Sequence, residues 1–402
     1  MKRTATVLAA AIALSAAYPA AAAYADDDAQ NGFTLEYTVK DKEICITGCK
    51  GSDQILLIPS ELEGMPVTAV SENAFTGNTD IAVCVVPDTV RIIGARAFSA
   101  CPALSTITLG SGITKIGDYA FTACPSLSYI DVNKNNPTYS TTNGCLYENG
   151  DTLLLYAGEK EAKLSDSTKI IRKGAFFGKS DVISAELPDS VTVIEDNAFS
   201  GCLSLTEIAI PDSVTTLGTG CFMSCTSLKK VSLGSSLTAL PDSCFYSCTA
   251  LSDMIIPDNI TSVGSDAFYS CAAVSGIYFP ASVTSFGKDS VGRRFDIRSD
   301  SSAGITDFVI RGEAGSAAEK YAKDNNITFM TGRQLKGDVN GDGFIDAVDA
   351  SDVLAEYARL SSGGKAEFNG EQRLAADYNG DGFTDAVDAS EILAKYASLS
   401  SS

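Results

Sequence analysis

The chain has 402 residues, 45% of them apolar, and a formal net charge of −20 from 50 Asp and Glu against 30 Lys and Arg. This length leaves room for more than one domain, and the apolar content excludes a chain that is disordered throughout. The strong negative charge argues against nucleic acid or an anionic membrane surface as the partner.

Residues 1–25 have the pattern of a secretory signal peptide. Lys2 and Arg3 precede an apolar run over residues 7–17, and Ala-Tyr-Ala then provides a cleavage site before Asp26. The alternative is a membrane anchor, but the apolar run is shorter than the ~20 residues that span a bilayer. The sequence therefore predicts a secreted protein without membrane insertion.

A 23-residue period fills the middle of the chain. One unit, residues 210–232, reads IPDSVTTLGTGCFMSCTSLKKVS, and its six apolar positions recur in the next unit. Residues 205–210 alternate apolar and polar, as a strand does when one face is buried. Such a period predicts a solenoid in which each unit buries its apolar face against its neighbours. The residues that mark the period are Phe75, Phe98, Phe121, Phe176, Phe199, Phe222, Phe245 and Phe268.

Six of the twelve cysteines lie three residues after one of these phenylalanines. Successive coils would hold their side chains parallel, which suits a column of buried reduced thiols better than the crossed geometry of a disulfide. Cys45 and Cys49 stand outside the repeat, and the sequence leaves open whether they pair or stay free. The predicted column consists of Cys101, Cys124, Cys202, Cys225, Cys248 and Cys271.

The period is interrupted between Phe121 and Phe176, which are 55 residues apart. Two strand-like runs flank an Asn-Gly turn signal in this interval, so we expect a hairpin insert over about residues 133–165. A strand and a short helix over residues 304–329 would cap the stack. We therefore place the repeat domain at residues 26–332.

Three segments carry a resemblance to a known family: the recurring IPDSVTxIGxxAFSxCxSLxxI pattern, the insert NNPTYSTTNGCLYENGDTLLLY and the ending GSAAEKYAKDNNITF. On these segments, residues 33–330 resemble the BspA-like leucine-rich repeat proteins of bacterial and some protozoan surfaces. The resemblance implies a leucine-rich repeat solenoid of parallel β strands with short helices or turns, and a binding or adhesion role.

Two nearly identical segments, DVNGDGFIDAVDAS at residues 338–351 and DYNGDGFTDAVDAS at residues 377–390, lie 39 residues apart. Each has side-chain oxygens at loop positions 1, 3, 5, 9 and 12, Gly at position 6 and a backbone carbonyl at position 7, which is the spacing of a calcium loop. One acidic turn is often only a solvated loop, but two matching copies favour two bound Ca²⁺ ions. The predicted ligands are Asp338, Asn340, Asp342, Phe344, Asp346 and Asp349, then Asp377, Asn379, Asp381, Phe383, Asp385 and Asp388.

The loops differ from an ordinary EF-hand because position 12 is Asp and no convincing helix enters the first loop. A helix follows each loop, since ASDVLAEYARLS and ASEILAKYASLS have apolar residues at helical spacing. Loop followed by helix, twice, makes residues 337–399 resemble a type I-like dockerin, and we place this small all-α calcium-binding domain at residues 333–402.

The dockerin resemblance implies docking onto a cohesin domain of a scaffold protein, through loop positions 10 and 11 and the following helix. Two near-equal copies would present one surface in either of two orientations, with the mismatch of Arg359 and Ser398 biasing the choice. The alternative is that these side chains only pack the dockerin's own core. The implied cohesin contacts are Ala347, Val348, Leu354, Ala355 and Arg359, then Ala386, Val387, Leu393, Ala394 and Ser398.

A dockerin implies a place in a cellulosome, an extracellular assembly for polysaccharide degradation at or near the cell surface. The chain contains no His, which excludes Ser-His and Cys-His nucleophiles and imidazole zinc sites. Carboxylates of the repeats recur at Pro-Asp turns, where a structural role suffices. We therefore predict a non-catalytic protein whose solenoid binds a protein or glycan partner. The alternatives are a carbohydrate-active enzyme subunit and a structural spacer without its own ligand.

The outward strand positions of the solenoid form a mixed polar face with two aromatic residues. Because the chain contains no Trp, flat stacking on cellulose is less favoured than recognition of a protein or a short glycan. A solvated face without a ligand is the alternative. The candidate ligand-face residues are Tyr129, Asp131, Glu186, Glu207, Lys230, Asp253 and Tyr278.

Overall fold

The computed structural model describes residues 32–274, 276–296, 301–305, 308–332, 336–340, 344–368 and 370–400. The predictions for residues 1–25 and for Asp342 lie outside these ranges. The chain divides into two compact units, and each is described by itself. The first contains the residues up to Met254 with Val263–Ala273 and Gly287–Val291, and the second contains Ile255–Ser262, Val274–Phe286 and the residues from Gly292 onward.

Short strands dominate the described chain, and four helices lie towards its C-terminal end. The strands are β1 Phe33–Lys40, β2 Glu43–Gly51, β3 Ile55–Leu57, β4 Glu61–Leu62, β5 Met65–Val70, β6 Val83–Val86, β7 Ile92–Ile93, β8 Thr106–Leu109, β9 Lys115–Ile116, β10 Tyr129–Val132, β11 Tyr139–Thr142, β12 Cys145–Glu148, β13 Thr152–Tyr156, β14 Glu161–Lys163, β15 Ile170–Ile171, β16 Ser184–Glu186, β17 Val193–Ile194, β18 Glu207–Ala209, β19 Thr216–Leu217, β20 Lys230–Ser232, β21 Ala239–Leu240, β22 Asp253–Met254, β23 Ser262–Val263, β24 Gly276–Tyr278, β25 Ser285–Phe286, β26 Arg293–Asp296, β27 Ser301–Gly304, β28 Val309–Gly312 and β29 Thr328–Thr331. The helices are α1 Ala317–Asp324, α2 Ala347–Ser361, α3 Gly370–Ala376 and α4 Ala386–Ser400.

Parallel strands of successive coils build the first unit. Partners lie 23 residues apart along most of the stack, as in Val193 with Thr216 and Glu207 with Lys230. The sheet orders are β1-β2-β5-β7-β9 with β4 beside β5, then β10-β8-β6-β3, β11-β12-β13-β15-β17-β19, β14-β16 and β18-β20-β22. The predicted solenoid of parallel strands and turns is confirmed.

Stacked phenylalanine rings form the axis of the core. The Phe199 ring lies 4.5 Å from Phe176 and 5.4 Å from Phe222, measured between ring centroids. These side chains have no exposed surface, so each contributes about 2–3 kcal/mol through burial alone. Each ring stacks on rings of the neighbouring coils, so a single repeat could not bury its ring alone.

The cysteines of the predicted column are free and buried, and each donates a hydrogen bond to the coil before it. The Sγ of Cys225 lies 3.2 Å from the carbonyl oxygen of Phe199, and the Sγ of Cys248 lies 3.1 Å from that of Phe222. A small thiol therefore fills the column and gives a second donor to a phenylalanine carbonyl that already accepts a backbone N–H from its own coil. The prediction of reduced thiols in a column is confirmed.

Lys179 takes the column position in the coil of Phe176, directly after the interruption of the period. Its side chain is buried, and its Nζ donates to the carbonyl oxygen of Leu127 at 2.6 Å. Desolvation lowers the pKa of this ammonium group. The longer side chain thus bonds the carbonyl of a leucine, whereas each cysteine of the column bonds the carbonyl of a repeat phenylalanine.

Cys45 and Cys49 are free thiols on the same strand, β2. Four residues of strand span about 13 Å, whereas a disulfide requires Cα atoms within about 7 Å of each other. The two side chains therefore do not pair within this strand, which answers the question that the sequence left open.

The interval between Phe121 and Phe176 contains two antiparallel pairings, β11 with β12 and β12 with β13, and β13 then runs parallel to β15. Arg172 holds this segment to the coil before it, with ion pairs of 2.6 Å to Asp118 and 3.1 Å to Glu148. Tyr139 lies beside the same group, and burial raises its pKa to about 12. The insert is thus joined to the solenoid by charge as well as by strand pairing.

Carboxylates at the Pro-Asp turns brace neighbouring coils. Asp88 Oδ1 accepts from the N–H of Ser111 at 2.6 Å, and Asp212 Oδ1 accepts from the N–H of Ser235 at 2.7 Å. The hydrogen bond from Ser235 holds the pKa of Asp212 below its usual range. These contacts support the structural role that the sequence suggested for such carboxylates.

In the second unit, β24, β28 and β29 form a parallel sheet, and β26 pairs with β27 in antiparallel fashion. Helix α1 lies between β28 and β29 in the chain and is capped by Ser316, whose side chain accepts from the N–H of Glu319. Tyr321 of this helix stacks on Phe286, with 4.8 Å between ring centroids. A strand and a short helix therefore do occur within residues 304–329.

The remaining helices of the second unit, α2, α3 and α4, share a small apolar cluster. Helices α2 and α4 contact each other and follow the two acidic loops, as the sequence predicted. The short helix α3 between them was not predicted. The cluster consists of Val339, Ala350, Val353, Phe368, Ala376, Ala389 and Ile392.

Candidate calcium loops and docking surface

The second acidic loop is a tight turn held by its own carboxylates. Asp377 accepts from the N–H groups of Gly380 at 2.8 Å and Gly382 at 2.9 Å, one on each carboxylate oxygen. Gly382 has a φ of +88°, a conformation that a residue with a Cβ rarely adopts. The Gly at loop position 6 therefore permits the tight turn that these two hydrogen bonds to Asp377 hold.

Asp388, at position 12, fastens the end of the loop to its beginning. Its Oδ1 accepts from the N–H of Asn379 at 3.1 Å and its Oδ2 from the N–H of Asp385 at 2.9 Å. Asp385 in turn accepts from the N–H of Val387 at 2.7 Å, which caps the start of α4. The Asp388 carboxylate thus joins Asn379 and Asp385 to the first turn of α4, which begins at Ala386.

The first loop repeats this network with matching distances. Asp349 accepts from the N–H of Asn340 at 3.2 Å and from that of Asp346 at 2.8 Å, and Asp346 accepts from the N–H of Val348 at 2.7 Å. Burial raises the pKa of Asp349, against the lowering effect of its backbone donors. Asp338 and Asp349 have no exposed surface. Two loops of equal design therefore precede two equivalent helices.

The donor set fits a hard divalent cation. Each loop supplies carboxylate, amide and carbonyl oxygens and no nitrogen or sulfur ligand, which is the set that Ca²⁺ prefers. An oxygen that accepts one backbone N–H keeps a second lone pair for a metal ion. Within the described residues, no group of three or more His, Cys, Asp or Glu side chains is already gathered around a metal position.

The residues predicted to contact a cohesin lie on the surface, with one exception. Val348 and Val387 are 53% and 52% exposed, and Leu354 and Leu393 are 43% and 42% exposed. These values argue against the alternative in which the residues only pack the dockerin's own core. The other exposed members are Ala347, Ala355, Ala386, Ala394 and Ser398.

Arg359 is the exception, because it is half-buried and paired within the domain. It forms an ion pair with Glu356 and another, of 3.1 Å, with Glu367. Glu356 is itself buried and accepts from the N–H groups of Glu367 at 2.9 Å and Phe368 at 3.2 Å. The counterparts in the second copy are Lys395 and Ser398, so only the first copy has this clamp.

Sequence reasoning missed part of the exposed apolar surface. Tyr357 and Tyr396, 39 residues apart, are 41% and 40% exposed, and neither was assigned a role. Phe344 and Phe383 were considered only for their backbone carbonyls, yet their rings are 65% and 71% exposed. Leu360 is also 42% exposed. The repetition of apolar residues at outward helix and loop positions, 39 residues apart, would have identified them.

The candidate ligand face of the solenoid is distributed over several sheets. Glu207, Lys230 and Asp253 are register partners in β18-β20-β22, and the first two are exposed. The side chain of Asp253 lies outside the described part. Exposed Glu186 lies on β16 opposite Lys163, within a cleft of about 490 Å³ that Asp166 and Asp189 also line.

The remaining candidates of this face are half-buried. Tyr129 and Asp131 lie on β10, in a different sheet from β18-β20-β22, and Thr141 of the insert donates to Asp131 at 3.4 Å. Tyr278 lies on β24 of the second unit. The structure thus brings together Glu207, Lys230 and Asp253, and it does not join all seven candidates in one sheet.

Some solved structures are similar to this chain at low identity. A leucine-rich repeat protein from Eubacterium ventriosum is 20% identical, with 63% of this chain and 84% of that chain covered and a TM-score of 0.45. The pneumococcal vaccine antigen PcpA is 14% identical, with coverages of 75% and 97% and a TM-score of 0.45. A leucine-rich repeat protein from Bacteroides ovatus is 20% identical, with coverages of 77% and 99% and a TM-score of 0.36.

Two family profiles match the chain. The profile described as BspA type Leucine rich repeat region matches 6 copies over residues 66–151 and 169–293, and the Dockerin type I domain profile matches residues 336–396. No curated protein matches. Within the described part, no helix combines the length and apolar character needed to cross a membrane. A dockerin domain implies a cohesin domain as its partner.

On the two profile matches, the chain belongs to the BspA-type leucine-rich repeat family and carries a dockerin type I domain.

Proposed function

We propose that this is a secreted, non-catalytic protein whose dockerin, loaded with two Ca²⁺ ions, docks onto a cohesin of a cellulosomal scaffold. The solenoid then presents its strand face to a protein or glycan partner outside the cell, at or near the cell surface. The proposed boundaries are 1–25 for the signal peptide, 26–332 for the repeats with an insert at about 133–165, and 333–402 for the dockerin.

The matched hydrogen-bond networks of the two acidic loops are the observation that carries this proposal. Position 12 closes each loop onto position 9 at 2.8 Å in the first copy and 2.9 Å in the second. The two loops together hold eight carboxylates, which repel one another unless cations offset their charge. Two Ca²⁺ ions would neutralise half of that charge and couple folding of α2 and α4 to calcium.

The exposed charges on neighbouring strands support a binding role for the solenoid. Glu207 and Lys230 are strand partners of opposite charge, and Lys163 and Glu186 form a second such pair in another sheet. Such a strip favours a partner that carries charges or hydroxyl groups over a flat crystalline surface. Among the family matches, neither the repeat region nor the dockerin is a catalytic module type.

Calorimetric titration of the full chain against a panel of cohesins, first with Ca²⁺ and then with excess chelator, tests the docking. Calcium-dependent binding to one cohesin class is the expected result. Bound calcium without affinity for any cohesin would reject the proposal and leave the loops as a calcium-folded segment.

A glycan array and crystalline cellulose test the solenoid separately. The matched pair is the wild-type chain and the charge-reversed variant Glu207→Lys with Lys230→Glu, which keeps the net charge. A ligand of this face is expected to bind the wild type and to lose affinity for the variant. Enrichment on crystalline cellulose alone, equal for both chains, would contradict the proposed face.

A further inference from the structure

Two phenylalanine side chains of the acidic loops are largely exposed. Phe344 and Phe383 occupy position 7 of the two loops and are 65% and 71% exposed, more than any other exposed large apolar side chain of the described residues. Position 7 of a calcium loop contributes only its backbone carbonyl, so a polar side chain would serve the metal equally well. A single exposed ring needs no explanation, whereas exposed apolar residues grouped on one surface mark an interaction site.

The comparison of the two copies of the loop and helix indicates why these rings are exposed. The exposed apolar residues recur unchanged 39 positions later: Phe344 with Phe383, Val348 with Val387, Leu354 with Leu393, and Tyr357 with Tyr396. Three inward positions differ, since Val339 corresponds to Tyr378, Ile345 to Thr384 and Val353 to Ile392, whereas buried Ala350 and Ala389 are the same. The identity of the copies is therefore greater on the surface than in the core, which a folding requirement does not explain.

The rings are placed beside the surface through which a dockerin binds. Each lies four residues before an exposed valine at loop position 11, at the start of the following helix. The backbone N–H of Phe383 donates to Asp381 at 2.9 Å, so the loop that would hold calcium also determines where this residue lies. Residues 336–402 contain nine Asp and four Glu against three Lys and two Arg, and this excess of negative charge disfavours an anionic lipid as the occupant.

We propose that Phe344 and Phe383 are aromatic anchors for the cohesin, each entering an apolar pocket of the cohesin surface when its own copy of the repeat is presented. This rests on the proposed docking function and adds to it a pair of specificity-determining residues at loop position 7. Because either copy can be presented, one ring is used at a time and the other remains exposed.

The test is calorimetric titration of the full chain, in saturating Ca²⁺, with a cohesin that the wild type binds. The variants are Phe344→Ala, Phe383→Ala and the double variant. Each single variant is expected to bind within about 3-fold of the wild type, because the intact copy takes over. The double variant is expected to lose about 10- to 100-fold in affinity, the effect of one phenyl ring that is no longer buried.

Two further variants make the result specific. Phe295→Ala removes a ring that is 50% exposed on β26, outside the dockerin, and is expected to leave cohesin affinity unchanged. The double variant Phe344→Leu with Phe383→Leu keeps an apolar side chain and is expected to bind between the wild type and the double alanine variant. Calcium affinity is measured in the same series without cohesin.

An unchanged affinity of the double alanine variant would overturn the proposal while docking itself stands. A matching loss of calcium affinity would also overturn it, since the rings would then support the loops. If one single variant already loses 10-fold in cohesin affinity, the result supports the anchor role and assigns it to the ring of that copy. If calcium-dependent binding to phosphatidylserine vesicles is what the double variant loses, the rings serve a lipid and the proposal fails. Absence of cohesin binding by the wild type would reject the docking function instead.

Discussion

The solenoid and the dockerin both repeat their sequence, but they keep different parts of it. In the solenoid the buried positions recur, as in Phe222 and Phe245, while neighbouring exposed positions such as Glu207 and Lys230 reverse their charge. In the dockerin the exposed apolar residues recur, while inward residues such as Val353 and Ile392 differ. The solenoid repeat therefore keeps the residues that pack its core, and the dockerin repeat keeps exposed apolar residues that the proposed docking would use.

Calcium removal should produce the largest difference between the two regions. With excess chelator, we expect the dockerin to lose the helical signal of α2 and α4 and the solenoid to remain folded, because its core uses apolar side chains and backbone pairs. At a thousandfold excess over its dissociation constant, each ion contributes about 4 kcal/mol. Calorimetry with and without Ca²⁺ should show an unfolding transition of the dockerin whose midpoint temperature changes and one of the solenoid whose midpoint temperature does not. If both move together, the comparison fails.

Removing one ring from each region should separate packing from recognition. Phe222→Ala is expected to lower the free energy of unfolding of the solenoid by about 3–5 kcal/mol, because the ring is fully buried between two others. Phe383→Ala, which removes a ring that is 71% exposed, is expected to change stability by less than about 0.5 kcal/mol. Urea unfolding followed by circular dichroism measures both, and equal losses would contradict the contrast.

At alkaline pH, ionising thiols should destabilise the solenoid and not the dockerin, because every cysteine of the chain precedes the dockerin. Burial raises the pKa of Cys225 and of Cys271 from 9.0 to about 12. The folded thiols therefore stay protonated after the unfolded ones ionise, so their contribution is complete below pH 9 and is lost as the pH rises towards 12. The loss is at most about 1.4 kcal/mol per thiol and pH unit.

Urea midpoints at pH 8 and pH 10 measure this loss. Cys225→Ala should unfold with a smaller difference between the two pH values, because one titrating thiol is absent. An equal difference in the variant would show that other groups, such as buried tyrosines, cause the alkaline effect.

The smallest expected effect concerns the difference between the two dockerin copies. Arg359→Ser should lower the stability of the dockerin by about 1–2 kcal/mol, because buried Glu356 loses its cationic partner. Ser398→Arg should have an effect below about 0.5 kcal/mol, since Lys395 offers no matching carboxylate. Unfolding of the calcium-loaded dockerin measures both. If the two variants change the stability of the dockerin by equal amounts, the ion pairs of Arg359 do not distinguish the two copies.

Local pattern was sufficient for much of this protein. The 23-residue spacing of Phe and Cys predicted the stacked rings and the buried thiols, and the ligand spacing predicted two acidic loops followed by helices. These features depend on residues close in sequence or one coil apart, so periodicity reports them directly.

Contacts between distant residues escaped sequence reasoning. Lys179 looks like an irregular repeat residue until its Nζ is seen to reach Leu127 across the insert. Arg359 was assigned to the cohesin surface, although its ion pair with Glu367 ties it to the segment after α2. Asp131 was taken as an open face residue, yet Thr141 of the insert reaches it.

The sequence by itself determined the two-part organisation, the solenoid class and the duplication of the acidic loops, because each follows from spacing along the chain. Only the tertiary structure decided which side chains of the duplicated segments point outward, which thiols are too far apart to pair, and which charges are used within a domain. Those properties depend on the direction of a side chain and on neighbours from elsewhere in the fold. The spacing of residues along the chain gives no information on either.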